Sequence, residues 1–141
     1  MLPWGGAQSE RTGEGLAASR KKVLAVDDSP YMLALMRLTL TGERCQVLEA
    51  LDGGKALDLA AAERPDLVLL DVMLPGLDGL AVCRSLKADP ATSTIPVIML
   101  TARGRQNDVD AGLAAGASDY ITKPFSPREL LDKVDRLLFP G

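Results

Sequence analysis

The sequence predicts a single α/β domain in which a parallel β-sheet carries helices on both faces. Short apolar runs alternate five times with helix-like segments between residues 21 and 139 of the 141-residue chain. Two of these runs, DLVLL (66–70) and IPVIML (95–100), lack the polar alternation of a half-exposed strand, which favours strands buried on both faces. A hydrophobic content of 47% is sufficient for one core in a chain of this length.

Cap and breaker residues delimit the first two strand–helix units. KVLAV (22–26) predicts the first strand, and Ser29-Pro30 then supplies an N-cap and a proline at the first helical position. Apolar residues follow at helical spacing until Thr41-Gly42 ends the helix. The second unit is predicted as the strand CQVLEA (45–50) followed by the helix KALDLAAAE (55–63).

The next two units begin with the two fully apolar runs. The first run is followed by a loop at 71–79 and a third helix at 80–88. The second run is followed by a weak fourth helix at 105–115, whose apolar positions are Val109 and Leu113. Alanines fill the rest of that helix face.

A fifth unit closes the predicted domain. SDYIT (118–122) predicts a short strand, and Ser126-Pro127 repeats the helix-start signal of the first unit. The final helix is expected at 128–139, with three apolar residues on one face: Leu130, Val134 and Leu138.

The N-terminal residues differ in composition from the rest of the chain. Gly, Ala, Ser and Glu dominate them, without the basic start or the apolar run of a signal peptide. We therefore expect a flexible tail at 1–20 and a domain at 21–139. No run approaches the roughly 18 apolar residues that a membrane helix needs, so no membrane insertion is expected.

Charge and rare residues exclude several classes of function. A net charge of −3 gives no overall basic field, so direct binding of nucleic acid is not expected. The chain has no histidine, which excludes histidine-ligated metals and Ser-His or Cys-His catalysis. Cys45 and Cys83 form no CxxC pair and are expected to be buried thiols of a cytoplasmic protein.

Polar side chains gather where the predicted strands end. Asp27 and Asp28 follow the first strand, Asp71 the third, Thr101 the fourth and Lys123 the fifth. Because ligands of an open parallel sheet bind beyond the carboxyl ends of its strands, we expect these side chains to share one edge. Each also has an ordinary explanation, since acids and threonines cap helices or end strands and a lone lysine is usually at the surface.

Together these side chains favour a hard cation and a phosphoryl group. Three packed carboxylates repel one another unless a cation neutralises them, and ligands that are all oxygen favour Mg²⁺. A lysine and a hydroxyl beside the ion can bind phosphoryl oxygens. Because GxxxxGK[ST] and GxGxxG are both absent, the phosphoryl group is expected on an aspartate of the protein rather than on a bound nucleotide.

Four motifs resemble the receiver domain of two-component response regulators: VDDSPYM (26–32), LLDVMLPGLDGL (69–80), VIMLTA (97–102) and DYITKPF (119–125). They occur in the family's order and spacing, and the resemblance extends from about Lys21 to Leu138. It implies a flavodoxin-like, doubly wound (βα)5 sandwich with the strand order 2-1-3-4-5.

The resemblance also implies a phosphoacceptor and a metal site. Asp71 is the implied phosphoacceptor, and Asp27, Asp28, Asp71 and the backbone carbonyl of Met73 are the implied ligands of Mg²⁺. Met73 and Arg103 flank the acceptor and the switch hydroxyl, where they are expected to tune the lifetime of the phosphoryl group.

A switch is implied at the ends of the fourth and fifth strands. Lys123 is expected to contact the phosphoryl group, and the Lys123–Pro124 bond is expected to be cis. Thr101 and Tyr120 are the implied switch pair, which shifts the face formed by the fourth helix, fifth strand and fifth helix. The small Ala102 leaves room for the donor or for water.

The expected function is that of a phosphoacceptor in a phosphorelay. Because the chain has no histidine, the donor must be another molecule, a histidine kinase or a histidine phosphotransfer protein. We expect a monomer, or a phosphorylation-dependent dimer through the switch face, acting on a downstream protein. No enzymatic activity is expected beyond the domain's own phosphorylation and dephosphorylation.

Three other functions are compatible with parts of the pattern. A phosphatase of the haloacid-dehalogenase type would resemble DxDx[TV], but the sequence at Asp71 is DVMLP. A flavin carrier would need a hydroxyl-rich loop after the first strand and more than the 4% aromatic residues found here. A protein-interaction domain that works without phosphorylation is the remaining alternative.

Overall fold

The structure is a computed structural model that describes residues 20–102 and 105–140. Nearly all of the predicted tail at 1–20 lies outside the described residues, and so does Arg103. The division into a tail and a domain therefore stays a prediction, as does the role expected for Arg103.

Strands and helices alternate along the described chain in the predicted order. The strands are β1 (Lys21–Val26), β2 (Cys45–Ala50), β3 (Leu67–Asp71), β4 (Val97–Ala102) and β5 (Asp119–Lys123). The helices are α1 (Pro30–Leu40), α2 (Gly53–Glu63), α3 (Gly79–Ala88), α4 (Gln106–Ala114) and α5 (Pro127–Leu138).

The strands form one parallel sheet in the order β2-β1-β3-β4-β5. This arrangement confirms the predicted doubly wound α/β fold. From β1 the chain continues to β2 on one side of the sheet and then returns to β3 on the other side. Folds of this type bind ligands beyond the carboxyl ends of the strands at such a switch point, here between β1 and β3. In the register of the sheet, Val26 lies opposite Leu70 and Asp71 opposite Leu100, so these ends are level with one another.

Side-chain caps fix where the helices begin. The Ser29 hydroxyl accepts a hydrogen bond from the Met32 amide at 3.2 Å at the start of α1. Asp52 caps α2 through the Lys55 amide at 2.8 Å, so the helix begins two residues before the predicted start. In α5, Ser126 and Glu129 form a reciprocal capping box.

Each face of the sheet has its own core. One core receives side chains from α1 and α5: Leu33, Met36, Leu40, Leu130, Val134 and Leu138. The other receives side chains from α2 and α3: Ala56, Ala60, Val82, Cys83 and Leu86. Full burial of a leucine or valine side chain stabilises a fold by about 1.5–3 kcal/mol relative to exposure.

The two cysteines are buried free thiols, as predicted. Cys45 belongs to the core beneath α1 and α5, whereas Cys83 belongs to the core on the opposite face. The sheet therefore separates the two sulfur atoms.

Two local predictions were wrong. The fourth strand was expected at 95–100 but runs from Val97 to Ala102, because it pairs with β5 as far as Lys123. In α4, Val109 is buried as expected but Leu113 is 45% exposed, and Gly112 occupies the buried face instead. A Cβ at Gly112 would lie 2.9 Å from Cγ of Met99, so the helix approaches the sheet at its smallest residue.

Within the described ranges, no helix is both long enough and apolar enough to cross a membrane.

Candidate functional site

The carboxyl ends of the central strands bring together the polar residues that the sequence singled out. Asp27, Asp71 and Thr101 are 1%, 4% and 2% exposed, and they are three of the four buried polar or charged residues in the described chain. Asp28 is exposed next to them. Buried carboxylates are rare unless they are paired or bind a cation, so this edge is a functional candidate on physical grounds alone.

Three carboxylates form a compact acidic cluster at this edge. One oxygen from each of Asp27, Asp28 and Asp71 lies within 4.8 Å of the others. Local hydrogen bonds orient two of them, since the Ser29 amide donates to Asp27 Oδ1 at 3.0 Å and the Met73 amide donates to Asp71 Oδ1 at 3.0 Å. These bonds follow from the sharp turns after β1 and β3, where an Asp side chain binds the backbone two residues later.

Lys123 bridges the two buried acids. Its Nζ lies 3.0 Å from Asp27 Oδ2 and 3.1 Å from Asp71 Oδ2. Each buried carboxylate therefore has one oxygen on a backbone amide and the other on Lys123. The Lys123–Pro124 peptide bond that follows is cis, as the resemblance implies.

The electrostatics of the site follow from burial and crowding. Burial raises the pKa of Asp71 above its ordinary 3.8, the negative charge of Asp27 raises it further, and the Met73 amide and Lys123 oppose the rise. For Lys123, burial alone would lower the pKa, but the hydrogen bond to Asp27 and the charges of Asp71 and Asp27 outweigh it, and the pKa rises above 10.5. The lysine is therefore a permanent cation at neutral pH.

The donor chemistry of the acidic cluster fits a hard metal ion. Its ligand atoms are carboxylate oxygens, with neither an imidazole nor a thiolate among them. Three such oxygens face a single ammonium group, so the site has an excess of negative charge that a divalent cation can neutralise.

Thr101 and Tyr120 lie on the same face of the sheet. Met99 is opposite Tyr120, and Thr101 is two residues further along β4 than Met99. Because alternate residues of a strand share a face, the Thr101 and Tyr120 side chains point to the same side. Tyr120 is half-buried against the core of that face, and Lys133 Nζ lies 5.1 Å from its ring centroid.

The sequence did not identify Arg105 as part of this region. Its Nη2 lies 3.8 Å from Met73 Sδ, and its Nε lies 3.0 Å from Asp108 Oδ2. Arg105, Met73 and Asp28 line one cleft beside the acidic cluster. No motif marks this arginine, because its place depends on how the loop after β3 meets the start of α4.

A second cleft, of about 570 Å³, lies between α1 and the start of α2 and does not include the acidic cluster. Three of its charged residues are already engaged, because Arg37 pairs with Glu49 at 2.6 Å and Asp52 caps α2, and Lys55 is the fourth charged residue that lines it. It contains neither a carboxylate cluster nor a nucleophilic side chain among the residues that line it.

The family model of the response regulator receiver domain matches residues 23–135. The chain is 46% identical over 115 residues to the DNA-binding response regulator MtrA of Mycolicibacterium smegmatis, covering 82% of this chain and 49% of MtrA. It is also 46% identical over 116 residues to the response regulator PleD of Caulobacter vibrioides, covering 82% of this chain and 26% of PleD. The chain thus matches about half of one relative and a quarter of the other.

The similar solved structures are also response regulators or receiver domains. A putative response regulator from Chloroflexus aurantiacus has a TM-score of 0.80 at 38% identity, covering 84% of this chain and 97% of that one. The receiver domain of a sensor histidine kinase from Pseudomonas aeruginosa, solved with a magnesium ion coordinated in the active-site cleft, has a TM-score of 0.77 at 33% identity, covering 84% and 97% of the two chains.

Proposed function

Because the chain belongs to the response regulator receiver domain family, we propose that Asp71 is its phosphoacceptor and that phosphorylation of Asp71 switches a protein-binding face. The main support is the position of Lys123, whose Nζ lies 3.1 Å from Asp71 and 3.0 Å from Asp27 within a cluster of three carboxylates. A protein-interaction domain that works without phosphorylation has no use for this buried arrangement of charges, so that alternative is not favoured.

The proposed chemistry begins with the Asp71 carboxylate as nucleophile. One of its oxygens attacks the phosphorus of a donor, and the electron pair of the broken bond leaves with the donor's leaving group. Lys123 holds one phosphoryl oxygen as a point charge, and the Thr101 hydroxyl donates a hydrogen bond to another. The Met73 amide keeps Asp71 oriented for the attack.

We propose Mg²⁺ as the metal of the acidic cluster, held by Asp27, Asp28, Asp71 and the backbone carbonyl of Met73. When bound, the ion neutralises negative charge on the phosphoryl oxygens during transfer. The magnesium ion coordinated in the active-site cleft of the Pseudomonas aeruginosa receiver domain supports this choice.

The proposed output is a change on the face formed by α4, β5 and α5. Phosphorylation adds negative charge beside Thr101, and we propose that the Thr101 side chain moves to the phosphoryl group while Tyr120 rotates into the space it leaves. Tyr120 and Thr101 lie on one face of the sheet, as such a coupled movement requires.

The proposed context is a two-component phosphorelay in the cytoplasm. The donor is the phosphohistidine of a histidine kinase or phosphotransfer protein, because this chain contains no histidine. The domain at 21–139 then acts on a downstream protein target, as a monomer or as a dimer through the switch face. Its only reactions are its own phosphorylation and dephosphorylation.

The acceptor is tested by incubation with Mg²⁺ and acetyl phosphate followed by intact-mass measurement. We expect one added phosphoryl group that hydroxylamine removes, and none in Asp71→Asn. An undiminished adduct in Asp71→Asn would rule out this assignment. Asp28→Ala tests the metal site separately: we expect its Mg²⁺ affinity to fall at least tenfold by calorimetry, whereas unchanged affinity would exclude Asp28 from the metal site.

A further inference from the structure

A cleft of about 460 Å³ lies next to the acidic cluster, between the loop after β3 and the start of α4. Asp28 and Met73 line it near the cluster, and Arg105 and Asp108 line it on the α4 side. Arg105 is the single cationic side chain among the described residues that line this cleft.

The guanidinium group of Arg105 has one ionic contact and one weak contact. Its Nε is 3.0 Å from Asp108 Oδ2, but that buried oxygen has no hydrogen-bond partner in the described chain, so the two groups form an ion pair without an aligned N–H bond. Its Nη2 donates to Met73 Sδ at 3.8 Å, and a thioether is a weak acceptor. An Nη N–H can therefore turn from the thioether towards an oxyanion while Nε keeps its ion pair with Asp108.

The backbone of Arg105 is fixed close to the switch residue Thr101. The Arg105 amide donates to the Ala102 carbonyl at 3.2 Å, which ties it to the end of β4. The Arg105 carbonyl accepts hydrogen bonds from the Asp108 amide at 3.0 Å and the Val109 amide at 3.3 Å, which tie it to the first turn of α4. The Arg105 side chain thus extends into the cleft from an anchored backbone.

The other acids of the cleft do not neutralise the guanidinium group of Arg105. Asp78 caps α3 by accepting from the Ala81 amide at 2.8 Å, and Asp28 belongs to the acidic cluster on the opposite side of the cleft. Asp108 holds the guanidinium on one edge only. A guanidinium presents five N–H donors, so an edge remains for a further anion.

We propose that Arg105 is a specificity-determining residue that, among small-molecule phosphoryl donors, favours those whose leaving group departs as an anion, namely acyl phosphates. This inference rests on the proposed role of Asp71. An Asp71 oxygen forms a bond to phosphorus, the bond from phosphorus to the acyl oxygen breaks, and the electron pair leaves on a carboxylate without any proton transfer. The carboxylate departs into the cleft, where Arg105 stabilises its developing charge. A phosphoramidate releases a neutral amine, which gains nothing from Arg105.

The test compares two donors in matched variants at saturating Mg²⁺. Phosphorylation rates are measured by intact mass with acetyl phosphate and with phosphoramidate. We expect Arg105→Gln to slow the reaction with acetyl phosphate about 3- to 10-fold, less than the loss of a buried oxyanion donor because the Arg105 side chain is 49% exposed. The phosphoramidate rate should change less than about twofold, and Arg105→Lys should retain most of the acetyl phosphate rate.

Two controls separate this role from a structural or a bulk electrostatic one. Arg128→Gln makes the same charge change at an exposed position of α5 and should alter neither rate. Raising the ionic strength should shrink the effect of Arg105→Gln, since an exposed charge is screened. For each variant we compare the ratio of its rates with the two donors. A loss of stability in Arg105→Gln would lower both rates together and leave this ratio unchanged.

The inference is overturned if Arg105→Gln slows both donors equally, slows neither, or is matched by Arg128→Gln. A wild-type protein that accepts a phosphoryl group from neither donor would instead overturn the proposed function, and this inference with it.

Discussion

Lys123 reaches from the end of β5 to Asp71, placing its Nζ 3.1 Å from the Asp71 carboxylate while it also binds Asp27. Its side chain is 25% exposed, whereas both acids are almost fully buried. The Lys123 ammonium group is thus the main positive charge that neutralises the two buried carboxylates in the metal-free protein. The site residue expected to hold the phosphoryl group also stabilises the resting fold.

We expect Lys123→Met to destabilise the metal-free protein by roughly 1–3 kcal/mol. Removing one partner of a fully buried ion pair costs about 3–5 kcal/mol, and partial exposure of Lys123 reduces that cost. Urea unfolding with and without Mg²⁺ measures it, and Mg²⁺ should restore part of the loss. Lys133→Met, which removes the surface pair with Asp119, is the control and should cost less than about 1 kcal/mol. Equal losses in the two variants would contradict this role of Lys123.

The stability of the metal-free protein should depend on the protonation of Asp71. The native pKa of Asp71 is raised, so the folded state binds its proton more tightly than the unfolded state does. The stability contributed by this group is complete below its ordinary pKa of 3.8 and is lost as the pH rises through the native pKa.

Asp71→Asn should therefore unfold at higher urea concentration than the wild type at pH 7, with a smaller difference at pH 4. Both proteins are measured in EDTA by urea titration across this range. An Asp71→Asn variant that is less stable than the wild type at pH 7 would show that attraction to Lys123 dominates over burial and repulsion.

Gly79→Ala should disturb the acceptor loop. A Cβ at Gly79 would overlap the carbonyl oxygen of Asp71 and lie 2.8 Å from Cα of Val72, so the backbone beside the acceptor must move. We expect a loss of about 2–3 kcal/mol in unfolding free energy and slower phosphorylation. Gly42→Ala is the matched control, because a Cβ there meets nothing within 4 Å. If Gly79→Ala changed neither the unfolding free energy nor the phosphorylation rate, the loop after β3 would accommodate the extra methyl group without cost.

Thr101→Ala should separate phosphorylation from its output. The nucleophile Asp71 remains, so the phosphoryl adduct should still form with acetyl phosphate, although more slowly. Amide chemical shifts in α4, β5 and α5 should then change much less on phosphorylation than in the wild type, since the hydroxyl that follows the phosphoryl group is gone. Thr39→Ala, on α1, is the control and should behave as the wild type. Full shift changes in Thr101→Ala would exclude Thr101 as the switch.

The convergence of Asp27, Asp71, Thr101 and Lys123 could be predicted because it depends only on strand order. Once the alternation of strands and helices indicates a parallel sheet, residues that follow the central strands must meet at one edge. The N-caps of α1 and α5 could also be predicted, because a serine followed by a proline favours a helix start through local interactions alone.

Contacts between elements were harder to predict. Val109 and Leu113 share a helical spacing, but the buried face of α4 is decided by how closely the helix approaches Met99, which favours Gly112. The contact between Arg105 and Met73 likewise joins two loops, and no periodicity in either segment indicates it.

The approach of Gly112 to Met99 also affects how α4 can move. A glycine presents no side chain to interlock with the sheet, so α4 meets β4 there across a smooth surface. A shift of this helix therefore moves no side chain of its own past Met99 at position 112, and the buried Val109 is the side chain that has to move with it. The packing of α4 on the sheet next to the proposed output face thus depends on one glycine contact and one buried valine.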